Sequence, residues 1–355
     1  MTSLHLAGVP GIRPPQPAGA LRPVEFSTGA YAPHEQLDAW RAMCSPTIEI
    51  IEAGDPAAGY EARHQVWKLG AFALSRVVAQ AARYRRTAQQ IRRDFLDHWV
   101  LCVATRGEHS LRTEGASVTV PAGVPVVFSL GKPFEGERGD IEWLCLFIPR
   151  DGFPDLSPTI DRRCQVPLAS APGRLLGGFL ERLVAELPNM PDAEIPRAVE
   201  ATRALVTAAV AGGTPDASLD EADMQAARLA RVRSIIRQHL RSPELTPDWL
   251  CRLAGISRSQ LYRLFEPVGG VAREIQRERL RCAHRAIAEA DGARTLHEIG
   301  EEFGFPEPTT FSRAFRREFG YPPSELRRTG PCVPVPTLAT PVHGGVDFLG
   351  VLRHI

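Results

Sequence analysis

Between Leu296 and Arg327 the apolar residues fall at helical spacing. Leu296, Ile299 and Phe303 mark one short face, and Phe311, Phe315 and Phe319 mark a second, four residues apart. Gly304, with Phe305 behind it, breaks the chain between the two faces, and Gly320 closes the second. Two helices joined by a tight glycine-containing turn form a helix-turn-helix, whose second helix suits the DNA major groove. With the phenylalanines inward, Thr309, Thr310, Arg313, Arg316 and Arg317 face out. Residues 245–265 repeat the layout. Thr246 and Pro247 start a helix, Trp249, Leu250 and Leu253 form its inner face, and Gly255 with Ile256 makes the corner. Ser257 caps a second helix that buries Leu261, Leu264 and Phe265 and leaves Arg258, Ser259, Tyr262 and Arg263 outside. Between the hairpins, residues 271–289 carry Ile275, Leu280, Ala283 and Ile287 on one stripe. A helix of that length spans ~30 Å, close to the ~34 Å turn of DNA, so the two outer faces can enter successive major grooves.

Residues 223–328 resemble the DNA-binding domain of AraC/XylS-type bacterial transcription regulators. The matching positions are Arg279-Leu280 with Ala283, Ile299, Gly304-Phe305, Phe311, Arg313, Phe315, Phe319-Gly320 with Pro322-Pro323, and Arg327. The resemblance implies seven helices and two helix-turn-helix units. By position it makes Ser259, Tyr262 and Arg263 the base readers of the first unit, and Thr309, Thr310 and Arg313 those of the second. Arg258 and Arg316 lie on the same outer faces and complete the expected DNA contacts. Two positions depart from the pattern: Gly300 stands where alanine is usual, and Pro308 stands where a polar side chain often reaches DNA.

Upstream the pattern changes to β. Candidate strands fall at 47–52, 67–78, 99–105, 117–120, 124–129 and 141–148, punctuated by Gly107, Gly115, Gly123 and Gly131. Helices are expected at 34–44 and 87–93, and a helical pair at 175–187 and 197–210. Residues 24–211 then form an effector-binding and dimerisation domain, which also resembles the cupin-like β barrel of the same family in 24–149. The opening EFSTGAYAPHEQLDAW and the run HWVLCVATRGEHSLRTEGASVTVPAG carry that likeness. The expected fold is thus α+β, a barrel with a helical pair followed by an all-α domain. Residues 1–23 are expected to be a mobile leader, 212–222 a flexible linker and 329–355 a mostly disordered tail. Within that tail 346–352 is apolar enough to dock. The stripe Leu176, Phe179, Leu183 and Leu187 either packs on the barrel or pairs with a second subunit, and a homodimer is expected.

A net charge of +1 hides an uneven distribution: residues 223–328 hold 19 arginines against 14 acids, where DNA should bind. The 7 cysteines are scattered and never spaced as CxxC, which points to reduced thiols in a cytoplasm rather than a disulfide frame or zinc. No HxH pair occurs, so a cupin metal centre is not expected, and neither is a cofactor. No apolar run is long enough to cross a membrane. Motifs for acyl, phosphoryl or hydride chemistry are missing, so no catalytic residue is assigned. The expected partners are a promoter DNA, a small-molecule effector and RNA polymerase. The chain reads as an activator under effector control, with a repressor or a ligand-independent regulator as the alternative. For the effector site, Trp99 favours a flat ligand, Arg76 or Arg112 an anionic one, and His98 lies beside Trp99 on the opposite strand face. Which face points inward stays open.

Overall fold

The computed structural model describes residues 21–94, 96–107, 109–113, 116–154, 156–211, 221–242, 244–289, 294–329, 348–353 and 355. The leader at 1–20, the linker at 212–220 and the tail at 330–347 lie outside the described residues.

The first half is a double-sheet, cupin-like fold. Its strands are β1 (Val24–Ser27), β2 (Glu49–Ala53), β3 (Ala62–Leu69), β4 (Phe72–Ala79), β5 (Ala82–Arg86), β6 (Trp99–Arg106), β7 (His109–Thr113), β8 (Ala116–Val120), β9 (Val126–Ser129), β10 (Phe134–Arg138) and β11 (Ile141–Ile148). A six-stranded sheet runs β1-β3-β4-β11-β6-β9, and a five-stranded sheet runs β2-β5-β10-β7-β8. The two sheets face each other without one continuous hydrogen-bonded cylinder, so the expected barrel is a flattened one. The single strand expected at 67–78 is a hairpin. Gly70, at φ +58°, starts the two-residue turn that lets Lys68 pair with Ala73. The sheets enclose one core, built from Trp40, Tyr60, Val66, Val77, Tyr84, Val100, Cys102, Phe128, Trp143 and Phe147 among others.

Helix α1 (Pro33–Cys44) caps one end of that interior, and α2 (Ala88–Asp94) precedes β6. Three further helices, α3 (Ser157–Arg162), α4 (Ala171–Glu186) and α5 (Ile195–Ala211), form a layer on the outer face of the larger sheet. Leu176, Leu180, Leu183 and Leu187 are nearly or fully buried there against Leu74, Leu101, Leu144 and Leu146. Gly177 lets the helix in, since a Cβ on it would sit 2.4 Å from the Gly123 carbonyl oxygen. The apolar stripe of α4 is therefore spent within the chain. Of the two alternatives the sequence left open for this stripe, the chain takes the first and packs it on the larger sheet.

The second half contains α6 (Glu221–Gln238), α7 (Pro247–Ala254), α8 (Arg258–Phe265), α9 (Val271–Glu289), α10 (Leu296–Glu302), α11 (Pro308–Phe319) and α12 (Pro323–Thr329). These are the seven helices the resemblance implies. They hold two small cores, one under each hairpin, and α9 contributes to both. A last helix, α13 (Phe348–Arg353), packs on the first half.

Candidate nucleic-acid interface and sensor interior

The two hairpins are built by the same local chemistry. In the first, the Thr246 hydroxyl accepts from the Trp249 amide, and Gly255 at φ +66° ends α7. Ser257 and Gln260 close a reciprocal capping box that starts α8. In the second, Thr295 and Glu298 make the same box. Gly304 at φ +80° then turns the chain, and the Phe305 amide donates back to the Gly300 carbonyl at 2.8 Å. Gly300 has a packing reason, since a Cβ there would press within 3.3 Å of both the Phe305 carbonyl and the Phe311 ring. Phe311 and Phe315 are buried, and the Phe315 and Phe319 rings meet edge to face at 4.4 Å. Burial of one such ring stabilises by ~1.5–3 kcal/mol, which orients the opposite face of α11 toward solvent. Leu253, expected on the inner face, is instead 49% exposed.

The outer faces differ in how committed their side chains are. Arg263, Arg313 and Arg316 are exposed and have no intramolecular partner among the described residues, leaving each guanidinium available to bases or phosphates. Tyr262 is 52% exposed, and Thr309 and Thr310 are exposed at the start of α11. Arg258 is engaged: it forms a fork–fork pair with Asp248 across the hairpin. The Ser259 hydroxyl is 3.1 Å from that of Ser257 at the cap. Arg273 and Arg317 border the crevice between α9 and α11, adding positive charge beside the second reading face.

In the first half the structure places Trp99, Arg76 and His98 away from the interior. Trp99 points to the opposite face of its sheet, under the helical layer, and its indole N–H donates to Asp161 at 2.9 Å. Arg76 lies on that same face, shared with Leu74, and pairs with Glu142 at 2.6 Å. His98 precedes β6; burial lowers its pKa, and its charged neighbours Asp97, Arg285, Arg150 and Asp151 place it toward the junction of the two halves. Arg112 sits on β7 opposite Glu135, and its side chain lies outside those described. Both faces of the larger sheet are covered, so strand alternation there marks two apolar faces and carries no sign of which is inward.

The interior instead holds Arg138, which no sequence signal had singled out. On β10 the side chains of Phe134 and Arg138 turn inward and Glu135 and Glu137 outward. Arg138 is 3% exposed and meets the Tyr60 side chain by a hydrogen bond, but its Nε and Nη2 have no hydrogen-bond partner among the described residues. Its guanidinium lies 5.4 Å from the Trp143 ring, 5.8 Å from Tyr84 and 6.0 Å from Trp40. Gly136 clears space for Tyr84, whose hydroxyl would be 2.3 Å from a Cβ there; that hydroxyl instead meets His109 Nε2 at 2.5 Å. Burial, with the Arg138 charge beside it, lowers His64 to about 3 and His109 to about 4, so both rings are neutral near pH 7. The only inward signal in the sequence was an arginine two and four places from Gly136 and Phe134 in an alternating FEGER run.

The halves meet through charge. Asp151 receives both Nε and Nη2 of Arg237 from α6. Next to it Arg150 bonds Asp161, Ser129 and the Asp97 carbonyl, with its guanidinium 4.6 Å over the Trp99 ring. Burial works against the charge of Asp97, yet Arg150 and Arg237 outweigh it and hold the carboxyl below its usual range.

Comparison with known proteins agrees with this geometry. Residues 39–211 match the family model described as an AraC-binding-like domain, and residues 250–329 match that of a helix-turn-helix domain. The chain is 23% identical over 331 residues to the transcriptional activator NphR of a Rhodococcus species, covering 87% of this chain and 92% of that protein. It is 30% identical over 110 residues to the probable transcriptional regulator LumQ of Photobacterium leiognathi, covering 30% of this chain and 43% of LumQ. Among solved structures, that of the AraC-like transcriptional activator CuxR superposes with a TM-score of 0.54 at 28% identity, over 78% of this chain and 98% of CuxR. The matched AraC-binding-like and helix-turn-helix regions, in this order on one chain, identify it as a member of the AraC/XylS-type family of DNA-binding transcription regulators.

Proposed function

We propose that the protein activates transcription when a small aromatic or carboxylated anion occupies the interior between the two sheets. Arg138 is the observation that carries this reading. A guanidinium taken out of water with two of its nitrogens unpaired is costly, and a ligand carboxylate is the group that repays it with paired, charge-assisted hydrogen bonds. Trp40, Tyr84 and Trp143 around it supply flat apolar walls, as small-molecule sites generally have. On the DNA side, Ser259, Tyr262 and Arg263 read one half of the site and Thr309, Thr310 and Arg313 the other, while Arg316 holds phosphate. Arg258 joins them only when DNA competes it away from Asp248. The activator NphR supports the sign of regulation by likeness alone. A homodimer belongs to the same proposal, and the face of α4 left for it is the outer one, where Leu175 is 66% exposed.

The test is thermal unfolding with a panel of aryl carboxylates, since a ligand at ~100 times its Kd stabilises by ~2.7 kcal/mol. A saturable rise in Tm that disappears in Arg138→Met supports the reading. A rise that persists unchanged in the variant places the anion elsewhere.

A further inference from the structure

We propose that α13 is a tethered plug, an intramolecular occupant of the sensor interior that competes with the effector. Val351 is 4% exposed and Leu352 fully buried, and both belong to the core that the two sheets enclose. Phe348 stands edge-on to His64 at 4.7 Å and to Phe147 at 5.5 Å. His64 is in turn edge-on to Trp40 at 6.5 Å, and Trp40 is one wall around Arg138. The helix and the Arg138 guanidinium therefore share one core, with the His64 and Trp40 rings in line between them.

The plug is held by its own connection. Residues 330–347 separate Phe348 from Thr329, the last residue of α12. Extended chain of that length reaches ~60 Å, ample to join the DNA-binding half to the sensor. A short tether keeps such a segment at an effective concentration near the millimolar range. A six-residue helix is not stable by itself and depends on the apolar surface it covers. Those properties suit an element that docks, leaves and returns. An effector entering beside Arg138 needs room in the same enclosed core, so the two occupants exclude each other, and by linkage each weakens the other equally. Release also frees the DNA-binding half from one of its attachments to the sensor.

This inference rests on the interior being the anion site, so the experiment separates the two. The probe is 1-naphthoate, titrated by calorimetry into the full chain and into the chain ending at Thr329. A fluorescently labelled peptide of residues 344–355 is titrated separately into the shortened chain. The expected result is a folded shortened chain that binds the peptide, and binds 1-naphthoate about tenfold or more tightly than the full chain, because apparent affinity scales with the unplugged fraction. The peptide should displace 1-naphthoate, and Phe348→Ala or Val351→Asp in the full chain should reproduce part of the gain. Peptide binding without any 1-naphthoate binding would sink the anion site and the competition while leaving a docked helix. Equal 1-naphthoate affinities, or failure of the peptide to bind a folded shortened chain, would overturn the plug. Unfolding of both the shortened chain and Val351→Asp would make α13 an ordinary part of the core and overturn it equally.

Discussion

Replacing Arg138 with methionine should make the ligand-free protein more stable while abolishing its response to aryl carboxylates. The guanidinium is 3% exposed with two of its nitrogens unpaired. An unsatisfied buried donor costs ~1–3 kcal/mol, and more when it is charged. Against this stand the ring contacts at 5.4–6.0 Å, near the far limit of cation–π attraction. At that range they total ~1–2 kcal/mol, and the methionine sulfur regains ~0.3–1.5 kcal/mol against the same rings. The balance is a stabilisation of roughly 1 kcal/mol, worth ~2–4 °C in Tm for a domain of this size. Urea unfolding of the ligand-free wild type and variant measures it directly. A variant destabilised by several kcal/mol would refute the reasoning, because the guanidinium would then be a satisfied structural group and not one waiting for an anion.

The remaining predictions concern reading, packing and pH. Arg263→Ala and Arg313→Ala should each relax preference at one position in a different half of the DNA site, by ~1–3 kcal/mol in binding competition. Arg316→Ala should leave the preferred sequence intact and lower the salt slope by about one, and an unchanged slope removes it from the interface. Leu183→Glu puts a charge at a position 5% exposed and should cost ~3–5 kcal/mol in unfolding free energy. Leu175→Glu should leave the fold intact and shift sedimentation from dimer to monomer. Acidification should destabilise the sensor through its buried histidines. Their folded pKa values lie below the unfolded value near 6.5, so the unfolded chain binds protons first. The stability they contribute is complete above about pH 6.5 and is lost as pH falls toward about 4 and about 3. His109 alone accounts for on the order of 3 kcal/mol at ~1.4 kcal/mol per unit. A stability profile flat from pH 7 to 4.5 in the isolated transition of the sensor would contradict this.

How much the sequence disclosed follows from which patterns are local. The helix-turn-helix pair was legible because its signals act within four residues: the Phe311-Phe315-Phe319 spacing, the caps Thr246 and Ser257, and glycines forced to positive φ at 255, 304 and 320. The sheets were harder. β1, β5, β7 and β10 carry polar residues on one face and escaped notice, while the apolar run at 67–78 hid the Gly70 turn. Trp99 looked like a pocket residue, yet its sheet is buried on both sides, so alternation cannot distinguish sensor interior from helical layer. Arg138 was invisible for the opposite reason. An arginine that follows two glutamates on a short strand reads as solvated surface, and only the pairing of β10 between β5 and β7 turns it inward.

The most direct measurement of the central claim is a hydroxyl-radical and methylation footprint of the purified protein on its own genomic sites. Each monomer should protect two major-groove tracts on one face of the duplex, centred ~10–10.5 base pairs apart. Arg263→Ala should thin one tract and Arg313→Ala the other. A single protected tract, or two tracts that both fade in either variant, would contradict a reader built from two units on one rigid linker helix.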